Sequence, residues 1–569
     1  MKTVYSFDVF DTCLVRECGD SDNVFSVVAD EVVRIMGRGF EAEYLREKFA
    51  LARKKHGNLD NIIEIYRQMA LDFPLPFEAT QMADLEMEVE RKILRPVAST
   101  RDLVAQKRKC GKIIFISDMY LPSEFIKSVL VEQGFFQEGD AIYVSNEVGA
   151  RKYDGSLFRL IRKEEHLKTF FWHHYGDNKR GDFIVPRLLG IRAHRVKTPY
   201  LRYESDWRQQ PSLHYPYPTM FAGLSRAIRQ NRFGTPDHAA FVCDIVAPMM
   251  VTWVVMVMDD ASAKGIRRLY FCARDTYPEY HIAKLIKEND PRHRYDDIEI
   301  HYLFTSQRSL YQGDKSITLR YLEQKGVASH ACDVAIVDSR SSGNSLKAIN
   351  DILTHAGYTM AFGYLMCLSL QREAEKVLAN YPIKALFSNE YTLMKSLELG
   401  YLGAMTEQIF SLSDHYRTVG YVFRDNKWHP VLEKDSEITT VGLHAKRRQQ
   451  DKMLEEYTMG YIHCGLLDHT ERLYHAIFEP TMIQFATLPR RVYLKYLTKV
   501  NIAGKRLPFV QNCFKSRKSK GGRWLQGSLV YTFPRPIVGA FFKIQRHAKV
   551  NKFFDKLLRK LRLRNPTGF

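Results

Sequence analysis

Two carboxylates, Asp8 and Asp11, stand three residues apart in Val4-Tyr5-Ser6-Phe7-Asp8-Val9-Phe10-Asp11-Thr12-Cys13-Leu14. Two acids on one loop can divide labour: one attacks as a nucleophile while the other moves protons, provided a cation or amide donors keep the first ionised. Taken alone, such a D-x-x-D spacing most often marks only a solvated loop, because short motifs recur by chance. Three further segments change that reading: a hydroxyl and acid at Ser117-Asp118, a cation at Lys152, and the acids of Gly176-Asp177-Asn178-Lys179-Arg180-Gly181-Asp182. Carboxylates by themselves repel one another and repel an anionic substrate. A divalent ion held by Asp8 and Asp177 relieves that repulsion, and an oxygen-rich, cysteine-free donor set suits Mg²⁺. Lys152 then balances the attacking acid and a phosphoryl group, while the Ser117 hydroxyl and the amides after it hold phosphate oxygens.

The elements that must deliver these groups are legible in the hydrophobic pattern. Val4 to Phe7 is a short β-branched and aromatic run that breaks at Asp8, as a buried strand does at its carboxyl end. Similar runs at Lys112 to Ile116, Ala141 to Ser145, Phe170 to Tyr175 and Ile191 to Val196 are separated by helical stretches, which predicts a doubly wound parallel sheet. Each polar loop follows a strand end, so the loops gather on one sheet edge. Residues 22 to 95 carry helical periodicity without strand-like alternation, and predict an insertion of three or four helices after the first strand.

These segments, in this order, resemble the four motifs of the haloacid dehalogenase (HAD) superfamily of aspartate-nucleophile phosphatases. DVFDT is similar to the first motif, the Ser117 strand end to the second, Lys152 to the third, and the Gly176-Asp177 to Asp182 segment to the fourth. The resemblance implies Asp8 as a nucleophile that becomes phospho-aspartate, and Asp11 as the acid that protonates the leaving group and then activates water. It implies a Mg²⁺ site formed by Asp8, the Phe10 carbonyl and Asp177, with Asp182 in support and Thr12 bracing the loop beside the substrate. The insertion, about residues 17 to 100, falls where the family places a cap that closes over small substrates and excludes water. A relic site would lack a motif, and none is missing. Cys13 reads as a small buried hydrophobe.

Beyond residue 200 the chemistry is less specific. Residues 201 to 237 are rich in Pro, Tyr, Gln and Arg and predict a linker with one short helix near Phe221 to Asn231. A second, Rossmann-like α/β domain follows over 238 to 430, with strands leading into Arg274-Asp275-Thr276, Ser306-Gln307-Arg308-Ser309 and Asp338 to Ser345. Arg274, Arg308 and Arg340 are candidates to cooperate on an anion, with Asp275, Asp338 and the Gly343-Asn344-Ser345 turn beside them. Asp338 to Leu346 is a near miss for a phosphoribosyltransferase loop, lacking its second acid; a degenerate sheet with a structural or anion-binding role is the plainer reading. The succession of LYFCARD, LFTSQRSL and AIVDSRSSGNS also resembles two-domain HAD-type proteins encoded with bacterial surface-polysaccharide genes, often beside glycosyltransferases. Thr276 stands where that pattern would have glycine.

The chain's 569 residues are too many for one core, and its 45% hydrophobic and 26% charged residues suit an ordinary globular protein. Its nine cysteines form no C-x-x-C pair, which predicts neither a disulfide framework nor a zinc site and fits a reducing cytoplasm. Asp8 and Asp11 interrupt the first apolar run too early for a signal peptide. Ala239 to Met258 is mostly apolar, but Asp244 and Pro248 interrupt it, predicting a buried core helix instead of a span. A helical region over 431 to 489 precedes a polycation. Residues 490 to 569 hold twenty-one Lys and Arg against the single acid Asp555, whereas the preceding residues hold 63 bases and 64 acids.

Within that tail Val550, Phe554, Leu557 and Leu561 fall at helical spacing among lysines and arginines, as in basic amphipathic helices that bind anionic membranes. A packed helix or a protein contact, such as a glycosyltransferase partner, is the alternative; no nucleic-acid motif accompanies the charge. The expected protein is thus a cytoplasmic Mg²⁺-dependent phosphatase of a small phosphorylated metabolite, peripheral to the inner face of the membrane. The alternatives are a non-catalytic module that binds a phosphorylated ligand in a glycan assembly complex, and a transferase using the second domain.

Overall fold

In the computed structural model, residues 3–37, 42–56, 61–167, 171–196, 217–231, 236–341, 343–368, 377–387, 415, 417–433, 440–474, 501–502 and 505–506 are described. Residues 201–216 and 232–235 of the linker expected over 201–237, and nearly all of the basic tail, lie outside them. The chain divides into two units: residues 1–233 with 460–469, and residues 234–459 with 470–569.

The first unit is built on a five-stranded parallel sheet of β1 (Thr3–Asp8), β4 (Lys112–Ser117), β5 (Ala141–Val144), β6 (Phe171–Gly176) and β7 (Arg192–Arg195), in the order β5-β4-β1-β6-β7. The chain runs outward from β1 through β4 to β5, then crosses to β6 and β7 on the other side. The connections therefore diverge between β1 and β6, where open α/β sheets leave a crevice at their carboxyl ends. Alternation along β1 sends Val4, Ser6 and Asp8 to one face. There Val4 packs with Ile114, Ile116, Leu157, Phe158 and Ile161, all 1% exposed or less. Each such side chain contributes about 1.5–3 kcal/mol on burial. On the opposite face Phe7 stacks on Tyr175 at 4.9 Å.

The predicted insertion consists of four helices: α1 (Val24–Met36), α2 (Ala42–His56), α3 (Ile62–Asp72) and α4 (Ala79–Ile93). Its neck is a short antiparallel pair, β2 (Leu14–Arg16) with β3 (Leu94–Pro96). Arg16 in that neck donates to Glu90 at 2.7 and 2.9 Å, both side chains being buried. Helices α5 (Ala98–Arg108), α6 (Ser123–Glu132) and α7 (Ser156–Glu164) connect or follow the strands.

The one short helix expected near Phe221 to Asn231 is present, but it is packed into the first unit and is not part of a linker. Tyr217–Gln230 forms a helix, α8, that belongs to the first unit. Its Phe221, Leu224, Ala227 and Ile228 are each 1% exposed or less, and Ala227 packs with Val15 and Val97 of the neck. The apolar residues recurring every three or four positions mark the helix in the sequence, whereas its packing on the first unit is decided by tertiary contact.

The second unit holds another five-stranded parallel sheet: β8 (Arg268–Cys272), β9 (Glu299–Leu303), β10 (Val334–Ser341), β11 (Phe362–Leu368) and β12 (Ile383–Phe387), ordered β12-β11-β10-β8-β9. The helix Pro236–Ala263 is long and apolar enough to cross a membrane by length and composition, yet 94% of its apolar window is buried inside the protein. That is the core helix expected of Ala239 to Met258.

Candidate functional site

Asp8 sits at the carboxyl end of β1, and the chain turns sharply beyond it. Cys13 and Leu14 both donate their amides to the Val9 carbonyl, at 2.8 and 2.9 Å, and the Asp11 amide donates to the Leu14 carbonyl at 2.7 Å. The turn puts Asp11 in the left-handed region, φ 56°. Aspartate tolerates that conformation better than most side chains. Phe10, whose carbonyl the family resemblance assigns to the metal, bridges to Leu14 and lies with its ring 4.5 Å beneath the Arg16 guanidinium.

The Asp8 carboxylate is gripped on both oxygens. Thr12 Oγ1 donates to Oδ2 at 3.0 Å, and the Lys152 ammonium pairs with Oδ1. The same ammonium donates to Asp182 Oδ1 at 2.7 Å, so Lys152 joins the first and fourth motif segments across the crevice. All three side chains are nearly inaccessible: 9% exposed for Asp8, 6% for Lys152 and 0% for Asp182. Asp118 accepts the Lys152 amide on both oxygens, at 2.9 and 3.0 Å; it fixes the loop that carries the lysine. Ser117 is buried at the end of β4.

Asp182 is held from three directions. Besides Lys152, it meets His174 Nε2 at 3.1 Å through Oδ1 and accepts the Asn178 amide at 3.0 Å on Oδ2. Asn178 in turn accepts the Arg180 and Gly181 amides at 2.9 Å, closing the turn after β6. Glycine is required at 176 because a Cβ there would lie 2.4 Å from Asp182 Cγ.

The electrostatics follow from burial and proximity. Burial pushes the Asp8 carboxyl well above its ordinary range; Lys152 opposes this, while Asp182 and Asp177 add to it. Asp177 is pushed up to about 6 by burial, then by Asp11 and Asp182. Burial would also raise Asp182, but Lys152 and His174 outweigh it and hold that carboxyl below the usual range. Burial would lower Lys152, but Asp182, Asp8 and Asp118 prevail and keep it charged. Cys13 is pushed well up by burial and then by Asp8, as befits an inert buried thiol.

Asp8, Asp177 and Asp182 each offer an oxygen, and these atoms lie within 4.8 Å of one another. Three hard oxygen donors, two of them raised by burial and mutual repulsion, fit a divalent cation such as Mg²⁺. Asp182 is the most committed to protein partners, which suits a supporting position.

Three contributors escaped the sequence reading. Ser6 and His174 stand behind Asp182: Ser6 Oγ lies 2.8 Å from His174 Nδ1 and accepts from Trp172 Nε1 at 2.8 Å. Their only sequence signal is polarity at inward positions of otherwise apolar strands. Arg226 of α8 is 2% exposed and reaches within 4.0 Å of Asp11 Oδ1.

In the second unit the connections diverge between β8 and β10, and Asp275 and Asp338 fall near that edge. Arg308 is exposed and pairs with Glu433 at 2.9 Å. Gly343, φ 82°, caps the helix Asn344–His355, where a Cβ would meet Val377 Cγ1 at 2.7 Å. Arg274 follows β8; Arg340 lies in β10 opposite Cys367, its side chain outside the described residues. Glu279 was not foreseen: it is fully buried, has no side-chain partner among the described residues, and is pushed up to about 8 by burial. The expected grouping of the three arginines on an anion depends on the Arg340 side chain and so lies outside the described residues.

No family model matches this sequence, and no curated protein matches it. Among solved structures the chain is similar to a HAD-hydrolase, YfnB from Bacillus subtilis bound to magnesium, at 14% identity over 33% of this chain and 84% of that one, TM-score 0.25. It is similar to a 2-haloacid dehalogenase from Pseudomonas syringae pv. Tomato DC3000, at 14% identity over 37% and 93%, TM-score 0.28. A third is a protein assigned as a beta-phosphoglucomutase from Thermotoga maritima, at 13% identity over 34% and 87%, TM-score 0.25.

Proposed function

We propose that the first unit is a HAD-type hydrolase that cleaves a phosphate monoester through a phospho-aspartate at Asp8. The observation that carries the reading is the position of Asp8 at a central strand end, shared by the Lys152 ammonium and facing two further carboxylates within 4.8 Å. Asp8, Asp177 and the Phe10 carbonyl would hold Mg²⁺, with Asp182 behind them. When bound, the ion supplies charge neutralisation at the phosphoryl oxygens.

An Asp8 oxygen attacks phosphorus while the bond to the leaving oxygen breaks, and Asp11 delivers its proton to that oxygen. Asp11 then takes a proton from water, whose oxygen attacks phosphorus and releases inorganic phosphate and the Asp8 carboxylate. Lys152 opposes the burial that disfavours the Asp8 carboxylate, and it stabilises the extra negative charge of both transition states. Thr12 fixes the carboxylate plane.

The substrate class we favour is a sugar phosphate or related precursor of surface polysaccharide, on the strength of the motif succession across both units. The test is inorganic phosphate release from an aryl phosphate by the full chain at saturating Mg²⁺. Asp8→Asn should lower turnover on the order of a thousandfold or more; equal rates overturn the reading.

We further propose that the basic tail, twenty-one cations against one acid, holds this cytoplasmic enzyme at an anionic membrane surface. Deletion after Pro489 should abolish sedimentation with phosphatidylserine vesicles at physiological salt. Retained binding overturns the proposal.

A further inference from the structure

The four-helix insertion is tied to the sheet through one pair of strands, β2 and β3, and a body tied in that way swings about its neck unless other contacts hold it. The neck continues directly from the turn at Asp11. The Asp11 amide donates to the Leu14 carbonyl at 2.7 Å, and the Val97 amide to the Cys13 carbonyl at 2.8 Å. Two later stretches of chain grip this neck: α8, and Gly460–His469, the part of the chain beyond residue 233 that belongs to the first unit.

Helix α8 meets the neck main chain to main chain. A Cβ at Gly223 would lie 2.2 Å from Gly19 N and Cα and 2.8 Å from the Glu17 carbonyl. Asn23 Nδ2 donates to Thr219 Oγ1 at 2.7 Å and to the Cys18 carbonyl at 2.6 Å. With Ala227 packed on Val15 and Val97, this side of the neck has little room to slide.

The other stretch grips both the neck and the insertion. Arg95 of β3 donates through Nη2 to His463 Nδ1 at 2.9 Å, and its Nε lies 2.9 Å from Oε1 of Glu17, the residue after β2. One guanidinium thus ties a neck carboxylate, 0% exposed, to a histidine of the later stretch. Six residues on, His469 Nε2 lies 3.4 Å from Asp30 Oδ1 on α1, a second anchor inside the insertion. Tyr461 is fully buried and meets Phe221 of α8 edge-on, ring centroids 6.1 Å apart. A Cβ at Gly460 would lie 2.2 Å from Leu224 Cδ1 and 2.9 Å from Glu17 Oε1, so the stretch lies flush on α8 and the neck together.

We propose that residues 460–469 are a strap across the neck, and that the four-helix insertion swings only after His463 leaves Arg95 and His469 leaves Asp30. The two histidine side chains are 22% and 25% exposed, so water reaches both contacts and replaces them when they open. Polar contacts at such exposure are individually weak, and the two together are worth about tenfold in the opening equilibrium. Buried Glu17 and Tyr461 give the strap a fixed seat to which it returns. In the phosphatase reading the strap then sets how often the site opens to substrate; that consequence rests on the reading, whereas the swing itself does not.

The experiment measures the swing directly in the full chain without substrate. Spin labels carried on unnatural amino acids replace Leu71 of α3 and Leu188 beside β7, which are 75% and 80% exposed, and pulsed electron resonance reads the distance between them. Wild type should show one narrow distance. The double variant His463→Ala with His469→Ala should add a second, longer distance in about a tenth of the molecules or more. Asp30→Ala, which removes an anchor from the insertion side, should add the same distance in a smaller share. Two distances in wild type overturn the proposal whatever the variants do, as does a single unchanged distance in a folded double variant or, should that variant fail to fold, in Asp30→Ala. Because no substrate is present, these outcomes are independent of the phosphatase reading, which fails separately if wild type releases no phosphate from an aryl phosphate.

Discussion

Ser6 Oγ and His174 Nδ1 lie 2.8 Å apart, and the Asp182 carboxylate, which can only accept, lies 3.1 Å from Nε2 and so puts the ring proton on Nε2. Trp172 Nε1 donates to Ser6 Oγ, so the hydroxyl proton is free to go to Nδ1, leaving His174 to donate from Nε2 to Asp182. Burial lowers the His174 pKa, outweighing Asp182, and the ring stays neutral. A chain of polar contacts thus runs from Trp172 through Ser6, His174 and Asp182 to Lys152 and Asp8.

Ser6→Ala would leave Trp172 Nε1 and His174 Nδ1 buried without their shared partner. The expected loss is about 1–3 kcal/mol of unfolding free energy, measured by urea denaturation. Turnover should fall as well, because Asp182 loses the group that orients its partner. A variant as stable and as active as wild type would show that the hydroxyl is dispensable.

Removal of the lysine has a metal-dependent signature. Lys152→Met leaves the Asp8 and Asp182 carboxylates buried without their cation, and should destabilise the protein by about 3–5 kcal/mol. Saturating Mg²⁺ should recover part of that stability without restoring phosphate release. Unfolding curves with Mg²⁺ and with EDTA make the comparison; identical deficits in both would place the cation site elsewhere.

The four-helix insertion carries a pH-sensitive carboxyl of its own. Glu86 is fully buried between Tyr66 and Tyr120, whose hydroxyls lie 2.6 Å from its two oxygens. Burial pushes it up to about 7 from an ordinary 4.5, the tyrosine hydrogen bonds only partly opposing the shift. Because the folded protein binds this proton more tightly than the unfolded chain, its contribution is full below about pH 4.5. It is lost as pH rises to about 7, and is flat above that. The change is on the order of 3–4 kcal/mol. Glu86→Gln, which stays neutral, should lack this part of the slope; parallel stability curves for the two proteins from pH 4.5 to 7.5 would refute it.

Gly223→Ala tests the seat of α8. The added methyl has backbone on every near side, so the helix must move by more than a flexible side chain would require. Overpacking of this kind costs about 1–3 kcal/mol. The melting temperature should drop; an unchanged value would show that the helix is not held by this contact.

The local signals that sequence carries well are the ones that placed Asp8, Asp11, Lys152, Asp177 and Asp182. Strand ends announce themselves where a β-branched run breaks at a polar residue, so β1, β4, β5, β6 and β7 and the polar loops after them were legible to within a residue or two. The four-helix insertion was legible for the same reason, its apolar residues recurring at helical spacing. Whether Ser6 meets His174, or Asp118 turns inward to the Lys152 amide instead of outward to a substrate, depends on register between strands far apart in the chain. Register is set by the packing of whole faces, which no local pattern encodes. Arg226 shows the limit most clearly. Composition made its surroundings look like linker, and only the backbone contact of Gly19 with Gly223, about two hundred residues apart in sequence, brings that guanidinium beside Asp11.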